Sequence, residues 1–212
     1  LRGAASDPDA TLRLDAPRLA VEGVGEGELA LTAEASRLVS APRVSVQGTG
    51  SLGGREIAIT GAAEPQPDGA IALPRIALRY GEAGLDGQGR VRADGRPELA
   101  ATASVPRLAE LVPGLAGAIE ARLALAPDDA DGVGATVEAR AQGLTAEGVA
   151  IAEARLTGTA QDVLRAPTLD ARLAAHGLAA GGVSGALDLE AAGTPETPVF
   201  VPASPALISR RA

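Results

Sequence analysis

Three observations predict an all-β fold. Apolar and polar residues alternate at period two through most of the 212 residues. Gly, Pro and Asp cluster between the alternating runs, which recur about every 12–15 residues, near the regular spacing of all-β chains. The connections are short, and short connections favour antiparallel pairs, because a parallel pair needs a crossover of a dozen or more residues. The expected architecture is a repetitive antiparallel β-meander.

The runs follow one another along the chain. TLRLD places Leu12 and Leu14 on one face, ELALTA places Leu29 and Leu31, and RVSVQ places Val44 and Val46. EIAIT contributes Ile57 and Ile59. AIAL contributes Ile71 and Leu73, and RIALRY contributes Ile76, Leu78 and Tyr80. ELAATA carries Leu99, IEARLAL carries Ile119, Leu123 and Leu125, and ATVEARA carries Val137. VAIA has Val149 and Ile151, EARLTG has Leu156, TLDARL has Leu169 and Leu173, and ALDLEA has Leu187 and Leu189. Arg, Glu, Asp and Thr fall on the other face of each strand.

Gly53-Gly54 and Asp94-Gly95 suit tight hairpins. PQPDG and PDDADG suit longer turns. One short helix is expected near 106–115, where Pro106 can occupy the first helical position, Leu108, Leu111 and Val112 share a face, and Pro113 stops it. Arg37–Val39 and Asp162–Leu164 are expected to form short turns ahead of a proline. From Thr194 onward the alternation fades into a proline-rich stretch, so residues 1–193 read as one continuous repetitive segment and 194–212 as an irregular tail.

The chain repeats itself. EGVGEGELALT (Glu22–Thr32) and EGVAIAEARLT (Glu147–Thr157) share Glu, Gly, Val, Glu, Leu and Thr at matching positions, and the likeness extends without a gap from 19–46 onto 144–171. The Ala41-Pro42 and Ala166-Pro167 pairs match, each opening a strand, where a proline costs no ladder hydrogen bond. A weaker third copy starts at Leu178.

Composition narrows the function classes. Net charge is −8 and every basic residue is Arg, scattered singly apart from Arg210-Arg211, which argues against a nucleic-acid partner. There is no Cys, so disulfides and thiolate chemistry are excluded. No stretch is long and apolar enough for a membrane-spanning helix. The absence of Met is expected of an internal fragment or a processed chain.

Catalytic and metal signatures are wanting. Gly48–Gly53 reads GTGSLG after a strand, but GREIAIT, itself a strand, follows where a dinucleotide site needs a helix. In PDDADG the third position of a calcium loop counted from Asp128 is Ala130, so a solvated turn is expected. His176 is the only histidine, lies beside a turn, and lacks a nucleophile elbow to serve, so it reads as a surface residue. We therefore expect no enzyme activity, no catalytic residue, no metal and no cofactor.

What remains is the apolar face itself. Periodicity leaves two arrangements open: a closed sandwich or solenoid core, or a curved sheet whose apolar face lines an open trough. The phrases LRLDAPRLAVEG, LTAEASRLVSAPRVSVQGTGSLGG and VPRLAELVPGLAGAIEARLAL resemble the central β-repeat region of the TamB family. Its wider relatives are the AsmA-like and bridge-like lipid transfer proteins. The likeness covers most of Asp7–Gly193 and rests on pattern, not on invariant motifs.

The resemblance implies an elongated, taco-like groove with an apolar interior, periplasmic and anchored in the inner membrane. It also implies an outer-membrane Omp85-type barrel, TamA, as partner. The implied work is phospholipid transport between the membranes and assembly of outer-membrane proteins and autotransporters. Phospholipid acyl chains or nascent outer-membrane β-strands would be the cargo. The groove-lining positions would be Leu12, Leu14, Leu29, Leu31, Val44, Val46, Ile57, Ile59, Leu73 and Leu78, then Leu123, Leu125, Val137, Val149, Ile151, Leu156, Leu169, Leu173, Leu187 and Leu189. The chain departs from the family pattern in lacking an anchor helix and a recognisable barrel-docking domain. A closed β-solenoid adhesin or passenger and a β-sandwich hydrolase are the competing readings.

Overall fold

A computed structural model of the chain describes residues 2–4, 7–21, 25–40, 42–128, 132–194, 197–202 and 208–210, with side chains described only within 7–194. The chain divides into two compact units, Leu1–Ala101 and Thr102–Ala212. In the first, β1 (Arg2–Ala4), β2 (Asp7–Val21), β3 (Gly25–Ser36), β4 (Arg43–Leu52), β5 (Arg55–Pro65), β6 (Ile71–Tyr80) and β7 (Ala83–Val91) lie side by side in chain order. β8 (Pro97–Val105) contains the division between the units. The second holds a single 3-10 turn, η1 (Leu108–Glu110), followed by β9 (Ala116–Pro127), β10 (Val133–Ala146), β11 (Val149–Gln161), β12 (Thr168–Ala180) and β13 (Val183–Thr194), again in chain order. β14 (Thr197–Pro202) and β15 (Ile208–Arg210) both pair with β13. All resolved pairings are antiparallel, and neither meander closes on itself. The all-β antiparallel expectation is met.

The expected short helix is corrected to η1. Arg107 ahead of it is extended (φ −136°, ψ 96°) and no side chain caps it. Between Pro106 and Pro113 there is room for only one tight turn. Two pairs of expected strands are single strands. AIAL and RIALRY join as β6 across a register shift between Leu73 and Ile76, and this bulge takes up Pro74 and Arg75. VAIA and EARLTG join as β11. β7, AGLDGQGRV, had no alternation to reveal it, because Gly87 and Gly89 occupy its apolar positions. The backbone of β6 offers it a ladder that needs no side-chain pattern. Within the tail expected to be irregular, residues 197–202 and 208–210 pair as strands for the same reason: β13 presents a free edge to them.

Little is buried. The buried hydrophobic residues are Leu52, Ala70, Ala77, Leu108, Val133, Ala141 and Ala175, mostly alanines, and no polar residue is buried among the described residues. Every substantial contact between elements joins ladder neighbours, apart from η1 against β9. Each unit is therefore a single layer, and its packing is lateral. Gly48 shows how this works: a Cβ there would stand 3.5 Å from Ile59 Cβ and 3.7 Å from Leu31 Cγ, so two branched side chains from flanking strands close over the glycine. Such half-burial stabilises by less than the roughly 1.5–3 kcal/mol of a fully buried aliphatic side chain. The backbone ladder carries correspondingly more of the fold.

Candidate functional site: an apolar face in each unit

Cross-strand register shows what the sheet does with the apolar positions. In the first unit Leu14, Leu31, Gly48, Ile59, Leu78 and Leu85 lie opposite one another in one row across β2–β7. Leu12, Ala33, Val46, Gly61, Ile76 and Gly87 form the next row. Ala35, Val44 and Ala63 extend the face on one side, and Leu29, Gly50, Ile57 and Tyr80 on the other. Leu73 joins it opposite Gly89. All ten positions expected to line an apolar face in this unit lie together on it.

The second unit repeats the arrangement. Leu125, Ala135, Ala160 and Leu169 form one row, and Leu123, Val137, Gly158 and Ala171 the next. Ala139, Leu156, Leu173 and Leu189 follow, then Ala141, Ala154, Ala175 and Leu187. Beyond these, alternation slips by one residue in β10, β11 and β12 together, so that Ile151 stays on the face with Ala154. Gly143 (φ +60°) and Gly177 (φ +63°) supply the phase change in β10 and β12. Leu144, Ile151, Leu178 and Gly185 are then in register, and Ala146, Val149, Ala180 and Val183 beyond them. All ten expected positions of this unit share one face as well.

No described element within either unit roofs its face. Leu12 is 67% exposed, Leu14 58% and Leu123 44%. The opposite faces are wet and charged. On β10, Thr136, Glu138, Arg140 and Gln142 are exposed, whereas the intervening Ala135, Val137 and Ala139 are half-buried and Ala141 is buried. Ion pairs lace these polar faces. Arg79 meets Asp86 at 2.6 Å, Arg90 meets Glu98 at 2.6 Å, and Arg172 meets Asp188 at 2.5 Å. The hydrogen bond from Arg90 holds the Glu98 carboxyl below the usual range, and Arg172 does the same for Asp188. Both pairs are solvated, so their contribution to stability is small.

One charged residue belongs to the apolar face. Arg55 opens β5 directly after the Gly53-Gly54 hairpin, opposite Leu52 and two residues before Ile57. Both glycines have positive φ (57° and 76°), as a two-residue primed turn requires. Arg55 Nη1 donates to Tyr80 Oη at 3.4 Å, Tyr80 Oη donates to the Leu52 carbonyl at 3.2 Å, and the guanidinium carbon stands 5.7 Å from the Tyr80 ring centroid. No carboxylate lies within ion-pair distance of Arg55 among the described residues. The alternation in REIAI carried this placement, since Arg55 shares the parity of Ile57 and Ile59.

The other expectations resolve plainly. GTGSLG lies on β4 and its hairpin, with strand β5 following. His176 is exposed on β12, opposite Glu153. PDDADG lies partly outside the described residues. Among the described residues no cluster of three or more His, Asp or Glu is placed to hold a metal, and no helix is long and apolar enough to cross a membrane. A depression of about 310 Å³ lined by Asp68, Ala70, Arg90, Arg92, Ala93 and Asp94 has its charges balanced internally, with Arg92 3.5 Å from Glu98 and 3.6 Å from Asp94. No known protein family, characterised protein or solved structure matches the chain.

Proposed function

We propose that this chain is a non-enzymatic groove segment of a TamB-like periplasmic protein, conducting phospholipid between inner and outer membrane and serving outer-membrane protein and autotransporter assembly. The observation that carries this reading is the apolar face of each unit, built mainly from Leu, Ile, Val, Ala and Gly, which stays continuous across the bulges and which no described element covers. In the proposed state these faces curl into a taco-like trough. Acyl chains moved there from water gain about 25 cal/mol per Å² of apolar surface covered. Small unreactive side chains give no deep single site, which suits sliding over capture. An inner-membrane anchor and an Omp85-type barrel would be met through a longer protein.

Photo-crosslinking from the apolar face tests the reading. A benzophenone side chain at Ile59 or Leu156 should capture phospholipid when the protein is made in a Gram-negative periplasm, and one at Thr60 or Arg155, on the opposite face, should not. Ile59→Asp and Leu156→Arg should abolish capture while leaving the fold intact by circular dichroism. Capture restricted to intramolecular links would instead support a sealed β-solenoid core and sink the conduit.

A further inference from the structure

Arg55 is the single charged side chain in the cross-strand rows of the first unit's apolar face. A guanidinium carries five donors in a planar fork. One reaches Tyr80 Oη, and among the described residues no other acceptor engages Arg55. The remaining donors stand at the rim of a hydrocarbon surface without a counter-ion among the described residues. Arg79, Arg90, Arg92 and Arg96 of the same unit each sit within 4 Å of a carboxylate. Those without such a pair among the described residues, Arg13, Arg18, Arg37 and Arg75, are exposed to water, whereas Arg55 is half-buried. A half-desolvated cation left unpaired is costly unless an anion completes it, and a guanidinium matches a phosphate bidentately.

The surroundings fit more than a bare anion. The Tyr80 ring lies under the guanidinium and orients it. Ile57 and Ile59 run away from it along β5, toward Ala63. That track is about 20 Å long at the rise of an extended strand, enough for a long acyl chain to lie along it.

We infer that Arg55, steadied by Tyr80, is a headgroup site for an anionic phospholipid, the phosphate on the guanidinium and an acyl chain along Ile57 and Ile59. The inference rests on the lipid-groove reading and adds a preference for net negative charge. A zwitterionic lipid brings its own ammonium to neutralise the phosphate, whereas an anionic one leaves its charge for Arg55. The sheet would then hold one point of headgroup recognition at the end of an otherwise featureless apolar track.

Native mass spectrometry of the full chain with dioleoyl phosphatidylglycerol, or with the uncharged dioleoyl glycerol, each presented in non-ionic detergent, tests this. Phosphatidylglycerol should be retained about tenfold better, a difference of about 1.4 kcal/mol. Arg55→Gln should lower phosphatidylglycerol to the level of the diacylglycerol and leave the diacylglycerol unchanged. Arg55→Lys should keep most of the preference, and Arg90→Gln, on the opposite face, all of it. Equal retention of the two lipids by the native chain would overturn the headgroup site while leaving the groove standing. So would an equal loss of both in Arg55→Gln, since that points to a structural role. Displacement of phosphatidylglycerol by millimolar inorganic phosphate would turn the site into a free-anion site and overturn the lipid assignment. Retention of neither lipid would sink the groove reading itself.

Discussion

The two copies of the repeat share a backbone plan and differ in how side chains fill it. β4 and β12 begin at equivalent residues, Arg43 and Thr168. The turn ahead of each is entered through a non-glycine residue in the left-handed region, Arg37 (φ 53°) and Asp162 (φ 46°). The next residue donates its N–H back to the opening of the neighbouring strand: Leu38 to the Pro8 carbonyl at 3.3 Å, Val163 to the Val133 carbonyl at 2.9 Å. An aspartate anchors each turn, Asp9 accepting from Arg37 N at 3.1 Å and Asp128 from Asp162 N at 3.2 Å. The exposed tips, Val39 and Leu164, are also equivalent.

Packing is solved differently in each copy. In the first, Leu31 faces Gly48 and Leu29 faces Gly50. In the second, Leu156 faces Leu173 and Ala154 faces Ala175. Repeats of a single-layer sheet thus conserve turn geometry and face parity, while large and small residues trade places freely, because no second layer dictates their shapes.

Exchanging equivalent residues separates the two copies by the largest effect. A Cβ at Gly50 would stand 2.1 Å from the Glu28 carbonyl oxygen and 2.9 Å from Leu29 Cα, both backbone atoms that cannot swing aside. Gly50→Ala should therefore cost about 3 kcal/mol or more. The reciprocal Ala175→Gly, at a site only 2% exposed, should cost about 1–2 kcal/mol. Chemical denaturation measures both, and equal costs would deny the close strand approach at Gly50.

A smaller effect separates the left-handed residues. Arg37→Gly should stabilise by up to about 1 kcal/mol, as the steric penalty of positive φ is relieved. Asp162→Gly should stabilise by more, because it also removes Asp162 Oδ1, a buried oxygen with no hydrogen-bond partner. Thermal melts of the two variants should rank in that order.

The smallest effect is an acid response in the first turn. Asp7 accepts from Ser40 Oγ at 2.5 Å and from Val39 N at 3.1 Å, and these hydrogen bonds hold its carboxyl below the usual range. A depressed folded-state value means the contribution is present above the ordinary carboxylate range and is lost as pH falls through it and below. The amide shifts of Val39 and Ser40 should move together below pH ~4, and Asp7→Asn should flatten that titration.

Much of this was legible in the sequence. Period-two alternation located β2–β6, β8 to β13 and the shared face of every expected lining residue, since parity on a strand assigns the face directly. Alternation was blind where glycine holds apolar positions, as at Gly87 and Gly89 in β7. Alternation also breaks where the phase changes inside a strand, at the Pro74-Arg75 bulge in β6 and at Ala152-Glu153 in β11, and there it suggests strand ends. The place of Arg55 was readable from parity, but its lack of a carboxylate partner was not, because that depends on which acids the neighbouring strands bring near.

By itself, then, the sequence determined strand class, antiparallel order, the Gly53-Gly54 hairpin and the sidedness of the apolar residues, all set by local sterics and period. The fold decides that the face stays continuous across β10, β11 and β12, that no second described layer covers it in either unit, and that among the described residues Arg55 stands on it with Tyr80 alone. Those outcomes depend on register between strands and on contacts over long separations, which local pattern does not encode.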